Sequence, residues 1–355
     1  MQIYIIFGIF AIVMKIVIAP DSFKECMSAA QVAEVMSQAV KGLYPDAQVV
    51  SMPMADGGEG TLEALSGPMG ARIQAVAVHD PLGRTISADY GITGKTAIVE
   101  VARACGLQLL KVEERNPLIA SSQGVGEIIV DACRKGCSRI IIGLGGTATC
   151  DGGKGLMSVP GIREALVTCS IELLCDVKAP FLGPEGAARV FAPQKGATPE
   201  QVNLLEERMT ELAKEIKSET GVDVSDMPGA GAAGGLSGAL MAYSGAQIMP
   251  GVIRVMELCG FSEAIRGASL IITGEGKSDR QTLMGKVPYG ILKHSNGVPV
   301  VLMSGRIEDR PMLEKAGFSK LIEISPRNLP LKEAMMPDIT LQNIKKSIHL
   351  PLANL

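Results

Sequence analysis

Short runs of β-branched and aliphatic residues, several of them followed by turns that carry glycine or carboxylates, constrain this chain more than any other feature. The runs lie at 16–18, 48–52, 139–142, 269–273, 299–303 and 320–324, and most are apolar without alternation. Strands covered on both faces read that way, and strands separated by helical patterns build parallel sheets. Ser28 and Gln31 stand at capping-box spacing, and Val32, Val35, Met36, Ala39, Val40 and Leu43 then recur on one helical face. Thr198, Pro199 and Gln201 open a longer helix carrying Val202, Leu205, Met209, Leu212 and Ile216 inward.

The middle follows another rule. Ile86, Ala88, Tyr90 and Ile92 alternate with Ser87, Asp89 and Gly91, a period of two that suits a half-exposed antiparallel strand. With 72–78 and 96–101 on either side, and a turn at Asp80-Pro81-Leu82-Gly83, this reads as a meander. The expected fold is therefore α/β with two domains, which 355 residues also favour. A discontinuous Rossmann-like parallel-sheet domain (14–70, 116–150, 265–355) receives an inserted mixed α/β domain (71–115, 151–264). Residues 1–13 are apolar, lack a basic start or cleavage site, and fall short of the ~20 apolar residues that span a bilayer. They are expected to be an extension with no part in the fold.

Composition removes whole classes of function. A net charge of −3, no Trp and only 12 Phe and Tyr argue against a nucleic-acid partner. Eight scattered cysteines without a CxxC pair, and three histidines, argue against zinc and for reduced thiols in the cytoplasm. No membrane partner is expected, and a homodimer stays open.

Five turns carry the chemistry. Asp21-Ser22-Phe23-Lys24-Glu25 pairs an acid and a base within one turn, able to hold a metal-phosphate group or a substrate carboxylate; a plain turn before a helix is the other reading. Asp56-Gly57-Gly58-Glu59-Gly60-Thr61 places two glycines before a helix start, where free amides attract anions, unless it is a simple connector. The run from Gly143 to Gly153, with Gly145, Gly146 and Thr147, allows phosphates to approach closely, and its Asp151 can bind Mg2+ or accept a proton. Residues 228–235, with Gly229, Gly231, Gly234 and Gly235, have no side chain larger than proline; this reads as unable to pack a core and so as a nucleotide contact or a hinge. The last turn, 274–282, offers Glu275 and Asp279. There is no P-loop, since the position of its first glycine is Ile271, and no GxGxxG follows the first strand. Glycine turns with carboxylates at strand ends, few histidines and no thiol motif suit phosphoryl transfer, which depends on positioning and electrostatics.

Taken together, 15–25, 55–61, 140–153, 193–201, 228–236 and 272–282 resemble the bacterial type-1 glycerate kinase family, in order and over nearly all of the chain from Met14 to about residue 345. That resemblance implies two α/β domains with the active site between them, and ATP- and Mg2+-dependent phosphorylation of D-glycerate in glycerate, glucarate or glyoxylate catabolism. The product expected is 2-phosphoglycerate, with 3-phosphoglycerate open. On this reading the amides of 143–153 and 228–235 cradle ATP together with Glu275, while Asp151 and Asp279 share Mg2+. Lys24, with Gly57 and Gly58, holds glycerate's carboxylate or the transferring phosphoryl. Asp21 or Asp56 takes the hydroxyl proton, and Ser22, Glu59 and Glu100 contact substrate; an exposed strand-end acid is the other reading of Glu100.

Two departures from the family pattern stand out. Cys150 replaces the Asn that usually precedes Asp151, and 155–171 is shortened by a segment that ordinarily adds a strand and a glycine turn, a loss expected to leave a sheet edge uncovered or to remove part of the second domain's site. The shortening makes an impaired, ligand-binding remnant the first alternative function; a Rossmann oxidoreductase is the second, already weakened by the missing GxGxxG.

Overall fold

The computed structural model describes residues 14–352; the apolar extension 1–13 lies outside them. Thirteen strands run in chain order: β1 (Lys15–Ile18), β2 (Gln48–Ser51), β3 (Arg72–His79), β4 (Thr85–Thr93), β5 (Thr96–Glu100), β6 (Arg139–Gly143), β7 (Ser170–Leu174), β8 (Gln247–Met249), β9 (Leu270–Thr273), β10 (Lys277–Ser278), β11 (Val300–Ser304), β12 (Arg306–Ile307) and β13 (Lys320–Glu323). The chain divides into two compact units. The first holds the described parts of Met1–Pro53, Phe261–Met284 and Pro288–Leu355, and the second holds Met54–Gly260 with Gly285–Val287.

The first unit is built on a five-stranded parallel sheet in the order β13-β11-β9-β1-β2. Ile16 pairs with Val49 on one side and Leu270 on the other, so β1 is an interior strand and its Ile16, Val17 and Ile18 are fully buried. The helix Ala29–Leu43 starts at Ser28, whose side chain accepts from the Gln31 amide while Gln31 accepts from the Ser28 amide. This box satisfies two of the orphan donors at a helix start and is worth about 1 kcal/mol. Val32, Met36 and Val40 then meet Ile16, Ile18 and Ile344 of the helix Pro337–Ser347 in one core. Each fully buried side chain of this size contributes roughly 1.5–3 kcal/mol.

The second unit has a six-stranded sheet in sequential order, β3 to β8. β3, β4 and β5 are antiparallel, the expected meander, and β5 to β8 are parallel. On β4 the buried Ala88 and Tyr90 share a face, and the Tyr90 hydroxyl donates to Asp131 Oδ2 at 2.7 Å. The helix Gln123–Arg134 covers this face through Val125, Ile128, Ile129 and Ala132. The long helix Pro199–Thr220 carries the second capping box, Thr198 with Gln201, and ends at Gly221 in the left-handed region.

Two expectations need correcting. β6 belongs to the second sheet, not the first: Ile141 pairs with Ile98 and Glu172, so 116–150 and 54–70 lie in the second unit. Its neighbour β5 is the last strand of the meander, so an antiparallel ladder continues into a parallel one. The second correction concerns 155–171. Helices Lys154–Met157 and Ile162–Thr168 lead into β7, which is paired on both sides by β6 and β8, so the shortening leaves no bare edge there. None of the eight cysteines is paired in a disulfide among the described residues.

Candidate active site

Four of the five turns flagged from the sequence follow parallel strands, β1, β2, β6 and β9, at the carboxyl ends where open α/β sheets bind ligands, whereas 228–235 follows the helix Pro199–Thr220.

In the first unit the turns after β1 and β9 run side by side. The Ala19 amide donates to the Ile272 carbonyl and the Asp21 amide to the Gly274 carbonyl, each at 2.8 Å. Gly274 is required by this packing, because a Cβ there would lie 1.8 Å from the Met303 carbonyl oxygen. Asp21 is buried, and its Oδ1 accepts the Ser22 amide at 2.7 Å. Phe23 and Met27 bridge to form a tight turn in which Glu25 takes a positive φ of 60°, and this turn presents Lys24 to solvent. On the β9 side, buried Glu275 accepts from the Ser278 hydroxyl at 3.0 Å and the Thr282 hydroxyl at 2.6 Å, and Ser278 also meets Ser304. Asp279 Oδ1 accepts the Gln281 amide, and its Oδ2 lies 3.7 Å from Lys277 Nζ.

The second unit brings four segments together. Gly57 and Gly58 press on the end of β6: a Cβ on Gly145 would lie 2.6 Å from Gly58 Cα, and one on Gly57 would lie 2.7 Å from the Leu174 carbonyl oxygen. Asp56 Oδ1 accepts the Gly58 amide at 3.0 Å, while Glu59 is exposed. In the 143–153 turn, the Leu107 amide donates to the Gly146 carbonyl and the Ala148 amide to the Cys105 carbonyl. The amides of Gly146 and Thr147 donate to no acceptor among the described residues, and Gly146 is exposed. A solvent-facing backbone N–H on a glycine turn at a strand end is a natural contact for a phosphate oxygen.

Other expected contacts have different surroundings. Asp151 is held from within: Oδ2 accepts from the Ser122 amide and hydroxyl, both at 2.8 Å, and from the Gly155 amide at 3.0 Å, while Oδ1 accepts the Gly153 amide at 3.1 Å. Glu100 is no exposed strand-end acid. It is 1% exposed, caps the helix Thr61–Met69 by accepting the Leu62 amide at 2.7 Å, and pairs with Arg103, which also pairs with Glu63. Burial pushes its carboxyl above the usual range despite those partners.

Residues 228–235 do pack a core. A Cβ on Gly231 would lie 2.1 Å from the Pro180 carbonyl oxygen, one on Gly234 2.0 Å from that of Thr149, and one on Gly229 2.3 Å from Ile248 Cδ1. Gly235 stacks on Gly152, Phe181 and Met209, and all four glycines are buried. Small residues let backbone meet backbone, which the composition alone leaves indistinguishable from a ligand cradle.

Two residues were missed. Asp176, just past β7, accepts the Gly251 amide at 3.0 Å, and Gly251 is wedged so tightly that a Cβ would lie 2.0 Å from the Asp56 carbonyl oxygen. The residue has exposed surface, yet its carboxyl is pushed up to about 6, first by desolvation and then by Asp56. Lys195 is buried on the short turn Pro193–Lys195, beneath 143–153. Lysine is rarely buried, so only an unusual fixed context would have signalled it.

The glycerate kinase family model matches residues 16–165 and 157–349, two segments that overlap inside the shortened stretch. A glycerate kinase of Halalkalibacterium halodurans is 38% identical over 353 residues, covering 90% of this chain and 93% of that protein. Glycerate 2-kinase of Escherichia coli K12 is 40% identical over 328 residues, covering 83% and 86%. A solved structure of a glycerate kinase 2 candidate from Salmonella typhimurium LT2 superposes with a TM-score of 0.79 at 36% identity, covering 96% of this chain and all of that one.

Proposed function

The chain belongs to the glycerate kinase family, and from that premise we propose that it transfers the γ-phosphoryl group of ATP to the 2-hydroxyl of D-glycerate. The product is 2-phosphoglycerate, made in the cytoplasm during glycerate, glucarate or glyoxylate catabolism. A relative of 40% identity that carries the name glycerate 2-kinase supports the position of transfer.

The observation that carries the reading is the pair of interlocked glycine turns in the second unit. Gly145 rests on Gly58 with no room for a methyl group, and among the described residues the amides of the exposed Gly146 and the buried Thr147 have no acceptor. Phosphoryl transfer asks a protein mainly to hold anionic oxygens in place, and fixed backbone donors do that without reorganising. Gly145, Gly146 and Thr147 are assigned to the nucleotide phosphates. In the second unit Gly57, Gly58 and Glu59 are assigned to the carboxylate and hydroxyls of glycerate, and in the first unit Ser22 and the exposed Lys24 are assigned to anionic oxygens of the reactants. Asp56 or Asp21 orients the attacking hydroxyl and receives its proton.

Mg2+ is bound by one or two carboxylates plus phosphate oxygens in enzymes of this chemistry. Among the described residues no three acidic, histidine or cysteine side chains gather, and Asp279, partly exposed on the turn after β9, offers a single carboxylate of the kind such an ion takes. Asp279 would hold it, with Glu275 buried beside the same turn. When bound, the ion offsets charge on the transferring phosphoryl. Asp151, with four donors on its carboxylate, is assigned to shaping the 143–153 turn instead. Gly229, Gly231, Gly234 and Gly235 support that turn from behind.

Coupled ADP-release assays with D-glycerate and MgATP test the assignment. Asp21→Asn, Asp56→Asn and Asp279→Asn, one at a time, are expected to lower kcat at least ~100-fold with unchanged melting. Near-parental kcat in all three would refute the site.

A further inference from the structure

Lys195 is 3% exposed, and among the described residues its ammonium meets no carboxylate in an ion pair. Nζ donates instead to the Thr147 hydroxyl at 3.0 Å and to the Thr149 carbonyl at 2.6 Å. The two thiols beside it, Cys105 and Cys150, are pushed up to about 12 and about 11 by burial and stay neutral at physiological pH. Asp151 is near, but its oxygens are committed to Ser122, Gly153 and Gly155. The Thr149 hydroxyl is itself fully buried without a hydrogen-bond partner.

Chance does not place a lysine here. Its turn ends at Gly196, with φ +97°, where a Cβ would lie 2.7 Å from the Arg115 carbonyl oxygen, so the position has no slack. A methionine would fill similar volume without the desolvation cost of a charge, and burial does draw the lysine's pKa down. Such a cost is retained where the charge serves the site above it.

We propose that Lys195 is a positioning residue for the nucleotide. Its ammonium ties down both ends of the Thr147–Thr149 segment, fixing the turn whose Gly146 and Thr147 amides receive phosphate oxygens. It also adds positive charge beneath a turn that has none of its own. The proposal rests on the kinase reading above and names one residue that reading does not use.

The test compares the full-length protein with Lys195→Met and Thr147→Val by steady-state kinetics, MgADP titration calorimetry and thermal melting. K195M is expected to lose about 100-fold in kcat/KM for MgATP, to bind MgADP at least ~10-fold more weakly, and to keep its KM for glycerate. The Thr147 hydroxyl and the Thr149 carbonyl lose their donor while a buried charge is removed, so the melting midpoint should fall by no more than a few degrees. A purely structural lysine would impair glycerate and MgADP binding alike, and that result overturns the proposal, as does near-parental MgATP kinetics. Should K195M fail to fold, T147V decides: the expected result is a KM for MgATP raised severalfold with the glycerate KM unchanged, and parental values for both would overturn the proposal. Parental protein that turns over no glycerate sinks the kinase reading itself, whereas active parental protein with an indifferent K195M sinks only the role of Lys195.

Discussion

Replacing Asp151 with Asn separates a metal ligand from a structural anchor. The carboxylate accepts four hydrogen bonds, three at Oδ2 and one at Oδ1, from Ser122, Gly153 and Gly155. Asparagine keeps one acceptor oxygen, and its NH2 faces at least one of those amides donor to donor. Its best orientation keeps the three contacts at Oδ2 and forfeits the Gly153 amide. Leaving one buried donor unsatisfied costs about 1–3 kcal/mol, and the three remaining bonds lose charge assistance. A total near 3 kcal/mol in a unit of roughly 200 residues lowers its melting midpoint by about 6–12 °C. Scanning calorimetry reads that shift, and a Mg2+ titration of the initial rate reads the alternative. The anchor account expects a lower midpoint with the half-saturating Mg2+ concentration unchanged. An unchanged midpoint with a Mg2+ requirement raised tenfold or more would refute it and restore Asp151 to the metal.

Gly234→Ala places a Cβ 2.0 Å from a backbone oxygen at a positive φ of 69°, so a loss of several kcal/mol or insoluble protein is expected, whereas an unchanged melting midpoint would mean the glycine only lines a ligand. Asp176 has a folded-state pKa of about 6, raised above its unfolded value near 3.8, so its contribution to stability is fully present below about pH 4 and is lost as pH rises through 6. Asp176→Asn should therefore flatten the decline in melting midpoint between pH 4 and pH 7; a profile parallel to the parent's would contradict the raised value. Glu100→Gln should weaken the pair with Arg103 and lower the midpoint while leaving the KM for glycerate within about twofold, and a large rise in that KM would return Glu100 to the substrate.

Local grammar was legible where a signal is local. The capping box of Ser28 with Gln31 forms as its spacing indicates, the helix opened by Thr198, Pro199 and Gln201 starts where expected, and the apolar runs become β1, β2, β6, β9, β11 and β13 within a residue or two. Partnership was not legible, because β6 reads Arg-Ile-Ile-Ile-Gly and that run would suit either parallel sheet. Nothing in it says that its neighbour is the last strand of a meander. The 228–235 glycines show a second limit: absent side chains mark close approach without naming what approaches, and here it is the chain's own backbone at Pro180 and Thr149. Asp151 shows a third. Its main partner, Ser122, is 29 residues away, and only the fold reveals that the carboxylate is already engaged. Lys195 and Asp176 fall to the same cause, since burial and neighbours shift their properties and a one-letter string carries neither.

Phosphorus NMR of MgATP and D-glycerate incubated with the protein follows the transferred atom itself. The account predicts that the γ-phosphate resonance of ATP declines as a phosphomonoester signal grows, split into a doublet by the single proton on C2 of 2-phosphoglycerate. A triplet would move the transfer to the 3-hydroxyl, while intact ATP, or inorganic phosphate alone, would contradict glycerate phosphorylation altogether.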